Sequence, residues 1–250
     1  MAVIKLLQKE LRDLAFSGLV LLLLNVLFYG FLLFQADAGN IPIILSFVTI
    51  PFAVYPLYLL AQGYRSFTRE WKNETIYMLK SLPRSGYALT AAKAVASALM
   101  LALLVAASSA GIYLILISYS EAVQTLLPPE IATINLESFV FWIGLAYLWC
   151  CAVVYFAAQI SALISRVFLR FRWLAAFVTF YLVNYLVLRF SGYLARPFTW
   201  LPGVTPGFME TAGIEQGAIQ INSNVILAGI LTLLILFAAS SLIFERVVEV

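Results

Sequence analysis

The sequence predicts an all-α integral membrane protein with six transmembrane helices, and three observations carry that prediction. Hydrophobic residues make up 64% of the 250-residue chain and charged residues 11%, with a mean hydropathy of +1.00. Soluble domains carry about a quarter charged residues, so these charges are too few to coat a large soluble core. Six runs, near 15–35, 41–62, 94–118, 138–164, 173–191 and 225–244, match the roughly 20 apolar residues that cross about 30 Å of hydrocarbon. The runs are continuously apolar rather than alternating. That favours helices, which pair their backbone groups within each segment. The length suits a single transmembrane domain over 1–250, with no added soluble catalytic domain.

From the N-terminus, Met1 to Asp13 alternates Ile4, Leu7 and Leu11 with Lys5, Lys9 and Arg12. This reads as an amphipathic helix on the membrane surface; a charged overhang that only anchors topology is the alternative. The "ADA" at Ala36–Ala38 has the look of a signal-peptidase site. The apolar run before it, however, exceeds the roughly 7–15 residues of a signal core, and Glu10 and Asp13 interrupt the basic flank. A retained first helix is therefore expected, with cleavage as the alternative.

Charge sets the orientation. The N-terminus, the 63–93 and 165–172 loops and the C-terminus hold Lys5, Lys9, Arg12, Arg65, Arg69, Lys72, Lys80, Arg84, Lys93, Arg166, Arg170, Arg172 and Arg246. The opposite side holds Arg189 and Arg196 with Asp37, Glu121, Glu130, Glu137, Glu210 and Glu215. The positive-inside rule then puts both termini in the cytoplasm of a multi-pass cell-membrane protein. On the outer side, 196–213 carries Pro197, Pro202, Pro206, Gly203 and Gly207 with Phe198, Trp200 and Phe208. A re-entrant element and a plain ordered loop both fit it.

Several chemistries are excluded or unsupported. The chain has no histidine, no Walker loop and no Gly-x-Ser-x-Gly elbow. A net charge of +3 is too small to suggest nucleic acid. Cys150 and Cys151 are adjacent and read as small buried hydrophobes. No carboxylate or lysine lies in the middle of a span, which argues against a proton or sodium relay. The polar groups within spans are Asn25, Gln159, Asn184 and several tyrosines, able to bond between helices or to line a path. Ala94, Ala98, Ala102, Ala106 and Ala110 form a ladder that would let another helix approach closely.

The stretch between the second and third spans has its own pattern. Thr68 is a candidate N-cap with Glu70 in the first turn. Trp71, Thr75, Met78 and Leu82 follow at helical spacing with Leu79 beside them, while Lys72, Asn73, Glu74 and Lys80 fall mostly elsewhere. Pro83 ends the helix. The spacing predicts a short amphipathic helix over 68–82. It could rest on headgroups or dock its Trp and Met into a groove on a soluble partner.

"FTREWKNETIYMLKSLPRSGYALTAAK", Phe67 to Lys93, resembles the segment between spans two and three of permease subunits in type-2 ATP-binding-cassette (ABC) exporters. The matching positions are Phe67, Glu70, Lys72, Asn73, Glu74, Thr75, Leu79, Leu82, Pro83 and Lys93; the family usually has Gly where this chain has Glu74. The resemblance implies a transporter subunit rather than an enzyme. Such a subunit pairs with a second copy or a homologous permease and docks two ABC ATPases, which bind ATP and magnesium; no cofactor is expected on this chain. The 68–82 segment would be its coupling helix, with Phe67, Glu70, Trp71, Lys72, Thr75, Met78, Leu79, Leu82 and Pro83 as docking residues. By the same analogy Asn25, Tyr55, Tyr58, Asn184 and Tyr185 would line the path of an amphipathic or lipid-like solute. An ion-gradient carrier and a non-transporting membrane scaffold or regulatory subunit are the alternatives.

Overall fold

The computed structural model describes residues 2–35, 40–72, 86–119, 136–168, 170–200, 203–204 and 221–249. Within them lie α1 (Ala2–Gln35), α2 (Ile41–Phe47), α3 (Ile50–Lys72), α4 (Gly86–Ser118), α5 (Leu136–Ser165), α6 (Arg172–Ala195) and α7 (Ser223–Glu249). A 3₁₀ turn, Arg196–Phe198, continues α6, and β1 (Gly203–Val204) pairs antiparallel with β2 (Ile221–Asn222). Among the described residues, six helical segments are long and apolar enough to cross a membrane, so the chain is a multi-pass membrane protein.

Helix boundaries follow from where breakers occur. No proline lies between Met1 and Gln35, so α1 runs unbroken for 34 residues, about 51 Å at 1.5 Å per residue. The expected N-terminal surface helix is thus continuous with the first span rather than a separate element. The second expected span is interrupted at Val48–Thr49. Pro51 can donate no hydrogen bond and disfavours helical geometry just before it; there the Phe52 amide donates to the nearer Thr49 carbonyl instead. Beyond that point α3 passes through Pro56 and continues to Lys72, ten residues further than the expected end at 62. Thr68 is consequently no N-cap: its hydroxyl donates back to the Tyr64 carbonyl within the helix, at 2.6 Å. The third span begins at Gly86 rather than near 94, while the last three agree with expectation to within a few residues.

Contacts divide the chain into two compact units, Met1–Tyr58 with Ala91–Ala132, and Leu59–Thr90 with Thr133–Val250. In the first, Tyr29 and Leu32 of α1, Ile44 of α2, Val48 and Ile115 of α4 form a buried cluster flanked by Phe28, Leu33, Ile112 and Tyr119. The Tyr29 hydroxyl donates to the Val48 carbonyl at 3.0 Å, supplying a partner where the helix is broken. The buried face of α4 runs through Ser97, Leu101, Leu104, Ser108, Gly111 and Ile115, at alternating spacings of four and three. The alanine ladder lies on another face. Ala98, Ala102, Ala106 and Ala110 are exposed among the described residues.

In the second unit α5 is the most enclosed helix, buried continuously from Tyr155 to Leu163. It touches α6 and α7, which also touch each other. Gly63 lets α3 approach α5: a Cβ there would come within 2.5 Å of the Tyr155 carbonyl oxygen. The adjacent cysteines part company, Cys151 buried and Cys150 exposed, because neighbouring helical positions point about 100° apart. Within the 196–213 stretch, Arg196–Phe198 form the 3₁₀ turn and Gly203–Val204 form β1. Residues 201–202 and 205–213, on which the choice between a re-entrant element and a plain loop falls, lie outside the described residues.

Candidate functional site

The 73–85 segment lies outside the described residues, but both of its ends are described, and α7 meets each. Before it, Phe67 of α3 is fully buried and stacks on Phe244 of α7, centroids 4.9 Å apart at 30°. After it, the Gly86 amide donates to Glu245 Oε1 at 2.7 Å. That amide belongs to the first turn of α4, where backbone donors lack helical partners and the dipole favours a carboxylate. A Cβ at position 86 would lie 2.8 Å from Glu245 Cγ and 3.1 Å from the Ser241 carbonyl, so the close approach suits glycine. Two consecutive residues of α7 therefore hold the chain on either side of 73–85.

A third fixing comes from α5. Arg166, just past its end, lies over the Trp71 ring at 5.4 Å and donates to the Thr68 carbonyl at 3.4 Å. Burial lowers the pKa of its guanidinium, the like charge of Arg172 lowers it further, and Tyr64 works in the opposite direction.

These contacts involve several of the expected docking residues. Phe67 is committed to Phe244, and Glu70, three residues on along the same inward face, is also buried. Both lie on the inward face of α3, which continues through a stretch expected to start a new helix. Trp71 is half-buried and Lys72 exposed. Thr75, Met78, Leu79, Leu82 and Pro83 lie outside the described residues.

The expected path residues divide between the units. In the first, Asn25 of α1 donates through Nδ2 to Ser108 Oγ of α4 at 2.8 Å and to the Tyr55 hydroxyl of α3. Tyr55 also bonds Ser108 and donates to the Leu104 carbonyl at 3.1 Å. All three side chains are buried, and among the described residues Asn25 Oδ1 has no hydrogen-bond partner. Tyr58, three residues beyond Tyr55, is half-buried. In the second unit Asn184 donates to its own helix at the Phe180 carbonyl, 2.8 Å away. Tyr185 is exposed and accepts from Arg189 Nε at 3.4 Å.

Two polar groupings were missed as partnerships. Gln159 of α5, wholly buried, donates to the Tyr155 hydroxyl at 2.9 Å and to Ser66 Oγ of α3 at 3.4 Å, and accepts from Ser240 Oγ of α7 at 3.3 Å. In the first unit Lys93 Nζ of α4 meets Glu10 Oε1 of α1 at 2.9 Å, both side chains buried. The available signal for that pair was the acids Glu10 and Asp13 within a basic flank and the isolated base Lys93, each at the edge of an apolar run. Glu245, the first charged residue after the last apolar run, offered a similar signal. Searches against family models, curated proteins and solved structures find no match to this chain.

Proposed function

We propose that this chain is the membrane-spanning permease subunit of an ATP-driven exporter of the type-2 ABC kind. In this reading the 68–82 stretch is the coupling element at the cytoplasmic face, and it engages two ATPase subunits that bind ATP and magnesium. The permease pairs with a second copy or a homologue, and an amphipathic or lipid-like solute passes near Asn25, Tyr55, Tyr58, Asn184 and Tyr185. The observation that carries the reading is the mounting of 73–85, whose flanks are fixed by Phe244, Glu245 and Arg166. A loop that only anchors topology has no use for such fixings. A loop that passes a push from a partner into the spans needs both ends tied to them.

The test is co-expression with an ABC ATPase encoded beside this chain, followed by affinity purification and an ATPase assay. Wild type is expected to retain the ATPase. The Trp71→Ala variant is expected to hold it about tenfold or more weakly, as for a buried aromatic at a joint, with the permease still folded. Equal retention by both would remove the docking role from this segment. Solute movement that follows an ion gradient without any ATPase would instead establish a carrier.

A further inference from the structure

The connection between α5 and α6 has an unusual make-up. From 138 to 209 the sequence contains no acidic residue, yet it contains five arginines, of which Arg166, Arg170 and Arg172 fall within seven residues. Between and beside them Val167, Phe168, Phe171 and Trp173 stand exposed, Trp173 at 73%. The α5 span ends at Ser165 and the α6 span begins at Arg172, so this connection lies at the membrane–water boundary. Aromatic rings settle there at headgroup depth, and arginine reaches phosphate with a planar, paired set of donors.

Two of the three arginines are held rather than loose. Arg166 rests on Trp71 and the Thr68 carbonyl, and Arg170 lies over the Phe171 ring at 6.0 Å. Among the described residues none of the three meets a carboxylate. The like charge of Arg172 is felt at Arg166, and an anion placed beside them would relieve that repulsion. A topology anchor needs only positive charge. It explains neither the exposed rings nor the stacked guanidinium groups.

We propose that Arg166, Arg170 and Arg172, framed by Phe168, Phe171 and Trp173, bind the phosphate of an anionic phospholipid. Its acyl chains lie along α6, where Trp173, Phe177 and Tyr181 expose one face at spacings of four. The surface depends on membrane insertion alone and stands or falls separately from the exporter reading.

The full-length protein in mild detergent, offered phosphatidylglycerol or phosphatidylcholine and weighed by native mass spectrometry, tests this. Wild type is expected to retain phosphatidylglycerol preferentially. The preference should fall about fivefold for each arginine removed in Arg170→Gln/Arg172→Gln, from the usual contribution of a cation near an anionic surface. Arg170→Lys/Arg172→Lys should recover part of it, and Arg189→Gln, at the far end of α6, should leave it intact. Equal retention of the two lipids by wild type, or an undiminished preference in the double glutamine variant, would overturn the proposal. Displacement of the lipid by inorganic phosphate would reassign the patch to a free anion. Loss of a co-purified ATPase with lipid preference unchanged would make it a protein joint.

Discussion

Among the described residues, each unit of the molecule has an uncharged amide bonded across a meeting of three helices, and these two amides are treated differently. Gln159 in the second unit has both ends of its side chain engaged, by hydroxyls from α3, α5 and α7. Asn25 in the first uses only its nitrogen, toward α3 and α4, and leaves Oδ1 buried without a hydrogen bond. Away from water an amide oxygen left unpaired costs free energy, so a fully engaged amide holds helices better than a half-engaged one. The first unit compensates elsewhere, through the buried ion pair Glu10–Lys93. The first unit thus combines an ion pair near one end with an open acceptor further in, whereas the second leaves no acceptor open at Gln159.

The largest expected effect tests that end fastening. Glu10→Ala leaves the Lys93 ammonium buried without the carboxylate that faces it, and breaking a buried pair in this way costs about 3 kcal/mol or more. Thermal unfolding in detergent should show it as a large drop in Tm. Replacing both partners together, Glu10→Leu with Lys93→Met, should restore most of the loss, because a matched apolar pair carries no desolvation cost. If Glu10→Ala unfolded like wild type, the first unit would have no need of this fastening.

The next effects belong to the second unit. Gln159→Leu removes hydrogen bonds to three hydroxyls in a dry setting, where each is worth about 0.6–2 kcal/mol. A net destabilisation of about 2 kcal/mol is expected. Glu245→Ala should cost about 1 kcal/mol, the usual scale for a lost helix cap, and amide exchange should quicken selectively at Gly86–Thr90. Exchange that quickened evenly across α4 and α7 would mean that Glu245 acts on overall packing and not on this one helix end.

How much of this was legible in the sequence depends on the physics each feature obeys. The six spans were, because hydrocarbon demands long apolar runs and nothing else in the chain resembles them. Helix ends were less so: Thr68 has the chemistry of a cap, yet no breaker precedes it, and α3 simply continued to Lys72. The break at Val48–Thr49 was signalled by Pro51, but its stabilisation by Tyr29 was not, since that contact joins residues 19 apart. Asn25 and Tyr55 could be named as polar residues within spans, whereas their partner Ser108 could not be told from other small residues of α4. The clamp of Phe244 and Glu245 was invisible for a related reason. It joins positions far apart in the chain, and periodicity reports only which face a residue occupies.

The smallest expected effect on stability is the sharpest test of the contrast. Asn25→Leu removes a group whose nitrogen donates to two hydroxyls and whose oxygen is unpaired. In the variant Tyr55 and Ser108 still bond each other, and Tyr55 still reaches the Leu104 carbonyl. The lost bonds and the relieved oxygen then nearly offset, so Tm should shift by the equivalent of about 0.5 kcal/mol or less. Function should not be so tolerant. On the exporter reading proposed above, an acceptor held open between α1, α3 and α4 is suited to a donor on a passing solute, and solute-stimulated ATP hydrolysis by the co-purified ATPase should fall in a variant that remains folded. A Tm loss as large as that of Gln159→Leu would show Asn25 to be as fully engaged as its counterpart, and the distinction between the two units would disappear.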